Sequence, residues 1–160
     1  MHKTKNDLPQ QVRTQVVELC NARLADAIDL QTQCKQAHWN VKGPDFIALH
    51  ERFDKVNEDV EEYIDLLAER AVQLGGTAEG TVRSAAKRST LPEYAAKGPT
   101  GSDHVEALSS ALAAFGKLAR QGIDKSSELK DADTADLFTE ISRGTDKWLW
   151  FVEAHLQAER

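Results

Sequence analysis

From residue 46 to residue 74, apolar side chains recur at alternating intervals of three and four residues. This spacing places them on one face of an α-helix and is typical of a helix packed against neighbours in a bundle. Only Arg70 interrupts the pattern. The stripe consists of Phe46, Leu49, Phe53, Val56, Val60, Tyr63, Leu67 and Leu74. We therefore predict a long bundle helix over this segment.

Glycine and proline divide the chain into four long helical stretches. Pro9 stands where a first helix can begin, and the turn at Gly43-Pro44 ends it. Gly75-Gly76 ends the second helix. Residues 77–101 form a connector that is long enough to cross a bundle and to carry a short helix of its own.

The second half of the chain predicts two more helices joined by a tight turn. The third begins near Asp103, which forms a capping-box pattern with Glu106, and the fourth is capped by Asp133 or Thr134. Two tight pairs joined by one long crossover are the ferritin-like arrangement of a four-helix bundle. The fold class is therefore all-α, a ferritin-like four-helix bundle whose long crossover carries a short helix.

Length and composition fit one globular domain. The chain has 160 residues, of which 41% are hydrophobic and 29% are charged. We place a flexible tail at residues 1–8 and the bundle domain at residues 9–160. No membrane span or signal peptide is recognisable, so we expect a cytoplasmic protein without a membrane partner. The net charge of −6 disfavours a surface that binds nucleic acid everywhere.

The two cysteines predict no disulfide. Cys20 and Cys34 lie in one predicted helix, so about 21 Å separates them along its axis. A disulfide joins Cα atoms only about 4.4–6.8 Å apart. We expect both to be packing residues.

Polar side chains form a second stripe on the helix after the turn. His50 with Asp54 and Asp65 with Glu69 are two i, i+4 pairs, and all four fall within about 100° of one another on the helix surface, away from the apolar stripe. His38 stands as far before the turn as His50 stands after it, so His38, His50 and Asp54 can converge. Two imidazoles and a carboxylate suit a divalent transition metal such as iron.

The two pairs cannot bind one metal within a single chain. They are separated by about 22 Å of helix. Two copies of this helix, antiparallel about a two-fold axis near residues 59–60, would set each pair against the other copy's second pair. A surface or packing position is the more ordinary interpretation of any one of the five residues, but the whole set in register predicts a metal site completed by a homodimer.

Several motifs resemble the Dps family, the DNA-binding proteins from starved cells or mini-ferritins. They are residues 37–41 (AHWNV), residues 46–51 (FIALHE) with Asp54, Asp65-x-x-x-Glu69-Arg70, residues 71–76 (AVQLGG), residues 133–138 (DTADLF) and residues 146–151 (DKWLWF). The resemblance covers nearly the whole chain from residue 35 onward, except the connector.

The resemblance implies a hollow shell of twelve subunits that oxidises iron(II), with hydrogen peroxide as the preferred oxidant, and stores the ferric mineral. It implies that His38, His50 and Asp54 come from one subunit and that Asp65 and Glu69 come from its partner. The iron ligands and the catalytic residues are then the same five side chains, and the activity is that of a ferroxidase that protects against oxidative stress.

Other residues have two open interpretations each. Trp39 either quenches stray oxidising equivalents or packs in the interior. The acids on or near the ligand stripe either nucleate mineral or form a solvated face; they are Glu51, Glu58 and Glu61. Acids in the last turn either line the family's three-fold pores or, for one of them, cap the helix; they are Asp131, Asp133 and Asp136.

DNA compaction is the alternative function, with nucleoid association and secondary metal binding. DNA-binding members often carry a basic tail, but this one offers only Lys3 and Lys5 beside His2, and the chain ends in Glu159-Arg160. An ordinary ferritin with its site inside the bundle is a third interpretation. It requires Glu-x-x-His pairs, and the sequence contains none.

Overall fold

The computed structural model describes residues 1–157 and is all-helical over them, as the sequence predicts. Each predicted boundary set by glycine or proline is confirmed: the first helix begins directly after Pro9 and the second ends before Gly75, which has a φ of 84°. The helices are α1 (Gln10–Asn40), α2 (Phe46–Gln73), α3 (Val82–Arg88), α4 (Gly101–Glu128) and α5 (Ala132–Glu153).

The four long helices enclose one core. α1 packs mainly against α2, and α4 packs mainly against α5. The predicted stripe of α2 is buried from Leu49 to Leu74, and only Phe46, at its start, is 38% exposed. This burial leaves the polar stripe of α2 on the outside of the bundle.

The crossover between α2 and α4 carries α3 and is fastened to α1 by polar side chains. The buried Asp26 carboxylate accepts from the Thr90 backbone N–H at 2.7 Å. Gln33 donates to the Pro92 carbonyl at 3.0 Å. These bonds replace the regular backbone pairing that an extended segment lacks, so the crossover lies along α1.

Both predicted helix caps in the second half of the chain are wrong. α4 is capped by Thr100, and its capping box pairs Thr100 with Asp103, one turn earlier than the predicted Asp103–Glu106 box. α5 is capped by Asp131 rather than by Asp133 or Thr134, and the Asp131 side chain accepts from the Thr134 N–H. Each of these turns contains more than one residue that could cap the following helix, and only the path of the backbone selects which residue does so.

Arg70, the interruption in the apolar stripe, is buried and paired. Its Nη2 lies 2.8 Å from Asp131 Oδ1, and its Nε donates to Thr134 Oγ1 at 2.8 Å. Asp131 is 2% exposed, and its carboxylate is bonded to Arg70 and to the Thr134 N–H that it caps. Asp133 and Asp136 are exposed, and for these two the pore interpretation stays a prediction.

The N-terminal segment contacts the loop after α2. The His2 backbone N–H donates to the Gly75 carbonyl at 2.6 Å, and Leu8 packs on the small apolar cluster formed by Val16, Val17 and neighbouring residues. The Lys3 and Lys5 side chains are exposed. The flexibility of residues 1–8 and the domain boundary at residue 9 stay predictions, and Glu159-Arg160 lies outside the described residues.

The prediction for the two cysteines is confirmed. Cys20 and Cys34 are free and buried, as packing residues. Burial raises the pKa of the Cys20 thiol to about 12, so this thiol is protonated at neutral pH. Among residues 1–157, no helix combines the length and the apolar character needed to cross a bilayer.

Candidate metal centre

His38 and His50 are held against each other across the α1–α2 turn. His38 Nδ1 lies 2.8 Å from the His50 backbone carbonyl, and His50 Nδ1 lies 2.8 Å from the His38 backbone carbonyl. A carbonyl only accepts, so each Nδ1 carries the proton and donates it. The symmetry of the two bonds follows from the turn, which places the two residues at the same level of antiparallel helices.

In the neutral tautomer that this pairing selects, Nε2 of each imidazole carries the lone pair. Metal-binding histidines commonly donate their other ring N–H to a carbonyl, which fixes the tautomer and the ring orientation. The rings are stacked, with centroids 3.7 Å apart and planes 22° apart. Lone pairs of nearly parallel rings do not converge on one atom, so each imidazole offers a ligand position of its own.

Asp54 completes the group that one chain brings together. Its Oδ1 is 3.9 Å from His38 Nδ1 and 2.6 Å from Lys35 Nζ. The hydrogen bond from Lys35 is the main reason that the pKa of Asp54 is lowered, and the two imidazoles contribute less. Asp54 is therefore ionised at neutral pH, and the Lys35 ammonium sits where a metal cation would compete for the same oxygen.

Asp65 and Glu69 do not join this group. Both are exposed on the far half of α2, about 22 Å along the helix from His50 and Asp54. Within residues 1–157, no three His, Cys, Asp or Glu side chains of one chain lie close enough to hold a metal ion. Completion of a metal site by a second copy, as the spacing predicts, stays a prediction.

Trp39 is 68% exposed, so the interpretation that it packs in the interior of its own chain is wrong. Position 39 follows the buried Ala37 by two residues and therefore points away from the core. The three acids near the ligand stripe, Glu51, Glu58 and Glu61, are exposed, and Lys55 Nζ lies 2.6 Å from Glu58 Oε2. Their role in mineral nucleation stays a prediction.

Sequence reasoning missed Lys35. It precedes His38 by three residues, which places both side chains on the same face of α1. The Lys35 ammonium also lies 5.9 Å from the Trp39 ring centroid, within reach of a cation–π contact. The i, i+3 spacing was a signal that could have placed Lys35 beside the candidate ligands.

Comparisons with known proteins identify the family to which this chain belongs. The model of the ferritin-like domain family matches residues 17–160. The chain is 45% identical to the DNA protection during starvation protein of Agrobacterium fabrum over 156 residues, covering 98% of this chain and 96% of that protein.

Solved structures extend the likeness to the backbone. Dps from Mycobacterium smegmatis in a tetragonal form matches with a TM-score of 0.92 at 33% identity, covering 98% of this chain and 95% of that one. Dps from Microbacterium arborescens, in a structure described as the high iron form, matches with a TM-score of 0.87 at 32% identity, covering 97% and 99%. The chain belongs to the ferritin-like family and, within it, to the Dps proteins.

Proposed function

We propose that this protein is a ferroxidase that oxidises iron(II), preferably with hydrogen peroxide, and stores the ferric product as a mineral inside a hollow shell of twelve subunits in the cytoplasm. Removing iron(II) and peroxide together protects the cell against oxidative stress. The high iron form in which the Microbacterium arborescens relative was solved supports iron as the substrate.

Each site lies at the two-fold interface between two subunits in this proposal, and the axis relates two such sites. His38, His50 and Asp54 of one subunit bind iron(II), and Asp65 and Glu69 of a second copy complete the site. Carboxylate oxygens are hard ligands and stabilise iron(III) relative to iron(II), which favours oxidation. The small number of strong ligands leaves positions open for the oxidant and for a second iron ion.

The reciprocal bonds between His38 and His50 carry the proposal. They orient both rings before any metal arrives and leave the Nε2 lone pairs available. An unsupported surface histidine would lose rotamer freedom on binding a metal, whereas these two have already lost it. The ionised Asp54 beside them supplies negative charge for a cation.

Iron(II) oxidation followed by absorbance, with peroxide or with oxygen, tests the proposal. We expect wild-type protein to oxidise iron(II) faster with peroxide, and we expect the double variant His38→Ala plus Asp65→Ala to lose the activity. Unchanged rates in the double variant would contradict the ferroxidase assignment.

Mixing the two single variants tests the sharing of the site. When His38→Ala and Asp65→Ala subunits are dissociated and reassembled together, half-sites from opposite subunits combine, and some of the composite sites are intact. Partial recovery of the rate supports a site built across subunits. If the subunits assemble normally and the rate does not recover, the five residues do not form one site across subunits.

DNA compaction is the second candidate function, favoured by the name of the Agrobacterium fabrum relative, a DNA protection during starvation protein, and by the exposed Lys3 and Lys5. The net charge of −6 and the bond that ties His2 to Gly75 act against it. A mobility shift that weakens with salt and disappears without Lys3 and Lys5 would support DNA binding. No shift of the full-length protein at low salt would reject it.

A further inference from the structure

A phenol–imidazole pair adjoins the surface groove that Trp39 and Tyr94 line. The hydroxyl of Tyr94, in the crossover, lies 2.5 Å from Nδ1 of His104 in α4. His104 is 3% exposed, and its ring also lies against the Asn40 backbone carbonyl. A carbonyl only accepts, so the His104 proton lies on Nε2 and Nδ1 accepts from the Tyr94 hydroxyl.

The protonation of the pair is fixed by burial. Burial lowers the pKa of His104, with the Asn40 carbonyl and Asp103 acting in the opposite direction, and burial raises the pKa of Tyr94, with Cys34 adding to the rise. At neutral pH the phenol is therefore protonated and the imidazole is neutral. A phenol in this state can lose an electron readily only if its proton leaves at the same time, and His104 Nδ1 is in place to accept it.

Three consecutive residues connect this pair to the candidate metal centre. His38 is a candidate iron ligand, Trp39 is the exposed aromatic side chain beside it, and the Asn40 carbonyl lies against the His104 ring, where it favours the imidazolium. Trp39 and Tyr94 line the same surface groove. The negative end of the α1 helix dipole, at its C-terminus, also favours a positive charge at this place.

We propose that Tyr94 and His104 form a proton-coupled electron relay that takes, through Trp39, the oxidising equivalent left when a single iron(II) ion reduces hydrogen peroxide. The inference rests on the proposed ferroxidase function and deepens it. It assigns a radical sink to a pair of residues that have no place among the metal ligands.

The electrons and protons balance as follows. One iron(II) reduces peroxide to hydroxide and a hydroxyl-radical-level oxidant, and becomes iron(III). Trp39 reduces that oxidant to hydroxide, and Tyr94 then reduces the oxidised Trp39. The Tyr94 proton moves to His104 Nδ1, which leaves a neutral tyrosyl radical and an imidazolium. A second iron(II) reduces the radical, and the proton returns. The sum is two iron(II) and one peroxide giving two iron(III) and two hydroxide ions.

Freeze-quench electron paramagnetic resonance after mixing with iron(II) and peroxide tests the relay. Tyr63 and Tyr94 are the two tyrosines of the sequence, so the assignment is direct. We expect a tyrosyl signal that disappears in Tyr94→Phe and remains in the matched control Tyr63→Phe. A signal that survives in Tyr94→Phe, or no tyrosyl signal in wild type, overturns the proposal.

A second arm uses iron-free protein oxidised by azide radicals, so that it does not depend on ferroxidase activity. We expect Trp39 radical decay to produce the Tyr94 radical. We expect His104→Gln, which keeps an acceptor oxygen but is not a base, to slow this step on the order of 10²-fold. An unchanged rate in folded His104→Gln shows that the pair only anchors the crossover and overturns the relay. If that variant does not fold, the same step is measured for wild type in H2O and in D2O. Equal rates in the two solvents would overturn the relay.

The two arms together separate this proposal from the ferroxidase assignment. Iron(II) oxidation is followed by absorbance in the same samples. Normal oxidation without a tyrosyl radical overturns the relay and leaves the ferroxidase assignment standing. Absent oxidation with a normal azide-driven Tyr94 radical overturns the ferroxidase assignment and, with it, the relay's coupling to iron.

Discussion

The two halves of α2 each present an i, i+4 pair of metal-ligating side chains on the same outer stripe, and they are supported in opposite ways. In the N-terminal half, His50 is fixed by the carbonyl of His38, and Asp54 is engaged by Lys35. In the C-terminal half, Asp65 and Glu69 are exposed. The first half is organised by its own chain, whereas the proposed role of the second half depends on a second copy.

The difference fits the proposed site shared between subunits. The imidazoles, whose ring orientation decides binding, are fixed before assembly, and the carboxylates, which bind over a wider range of angles, stay adjustable. The backbone of the C-terminal half is held in place, because Arg70 pairs with Asp131 at the start of α5. Its outward side chains, Asp65 and Glu69, are exposed.

Breaking the Arg70 clamp is expected to give the largest effect. Arg70→Met leaves the Asp131 carboxylate buried without its partner, which costs about 3–5 kcal/mol of unfolding free energy. Urea unfolding at one fixed protein concentration measures the loss. Arg143→Met, at an exposed position of α5, is the control. A loss below about 1 kcal/mol would show that Arg70 does not hold the C-terminal half.

The second-largest effect is expected from neutralising one acid of the C-terminal half. Asp65→Asn keeps the shape of the side chain but removes its charge, and we expect iron(II) oxidation to fall on the order of 10²-fold, equivalent to about 2.7 kcal/mol. Absorbance under peroxide measures the rate. Asp124→Asn, at an exposed position of α4, should leave it unchanged. Equal rates in both variants would remove Asp65 from the site.

Truncating one histidine tests whether the N-terminal half is organised within the chain. His50→Ala loses the bond to the His38 carbonyl and the ring stack, while His38 keeps its bond to the residue 50 carbonyl, so we expect a loss of about 1–2 kcal/mol in urea unfolding. Asp65→Ala should change stability by less than about 0.5 kcal/mol. His155→Ala is the matched control, and equal losses at positions 50 and 65 would erase the contrast.

Removing the competing cation should give the smallest effect. Lys35→Gln frees Asp54 from an ion pair in which the side chains are 29% and 40% exposed. Such pairs are worth about 0.2–1 kcal/mol, so iron(II) binding should tighten about 1.4- to 5-fold. Anaerobic iron(II) titration measures it, with Lys125→Gln as control. Weaker binding would show that Lys35 supports the site rather than competes for it.

Much of this geometry follows from the sequence because local rules govern it. The equal distances of His38 and His50 from the Gly43-Pro44 turn predicted their convergence, and helical rise alone showed that Asp65 and Glu69 lie too far away to join them. The predictions of the two helix caps were wrong because local rules do not decide between neighbouring capping residues. Residues 100–106 offer two overlapping capping patterns, and local chemistry cannot rank them.

Arg70 shows where local rules end. In the sequence it is one charge in an apolar stripe, and its partner Asp131 is an acid of a distant turn for which a pore was an open interpretation. The two meet because α2 and α5 pack side by side, and burial then makes the pair obligatory. Nothing in the spacing of either segment indicated that contact.

The sequence by itself determined the four long helices, the tight turns and the outward polar stripe, since each depends on helical periodicity and on glycine and proline. The tertiary structure decided which polar groups are used inside the fold: Arg70 with Asp131, Tyr94 with His104, and Lys35 with Asp54. These contacts join residues far apart in the chain, and their free energy comes from burial and proximity that only packing creates.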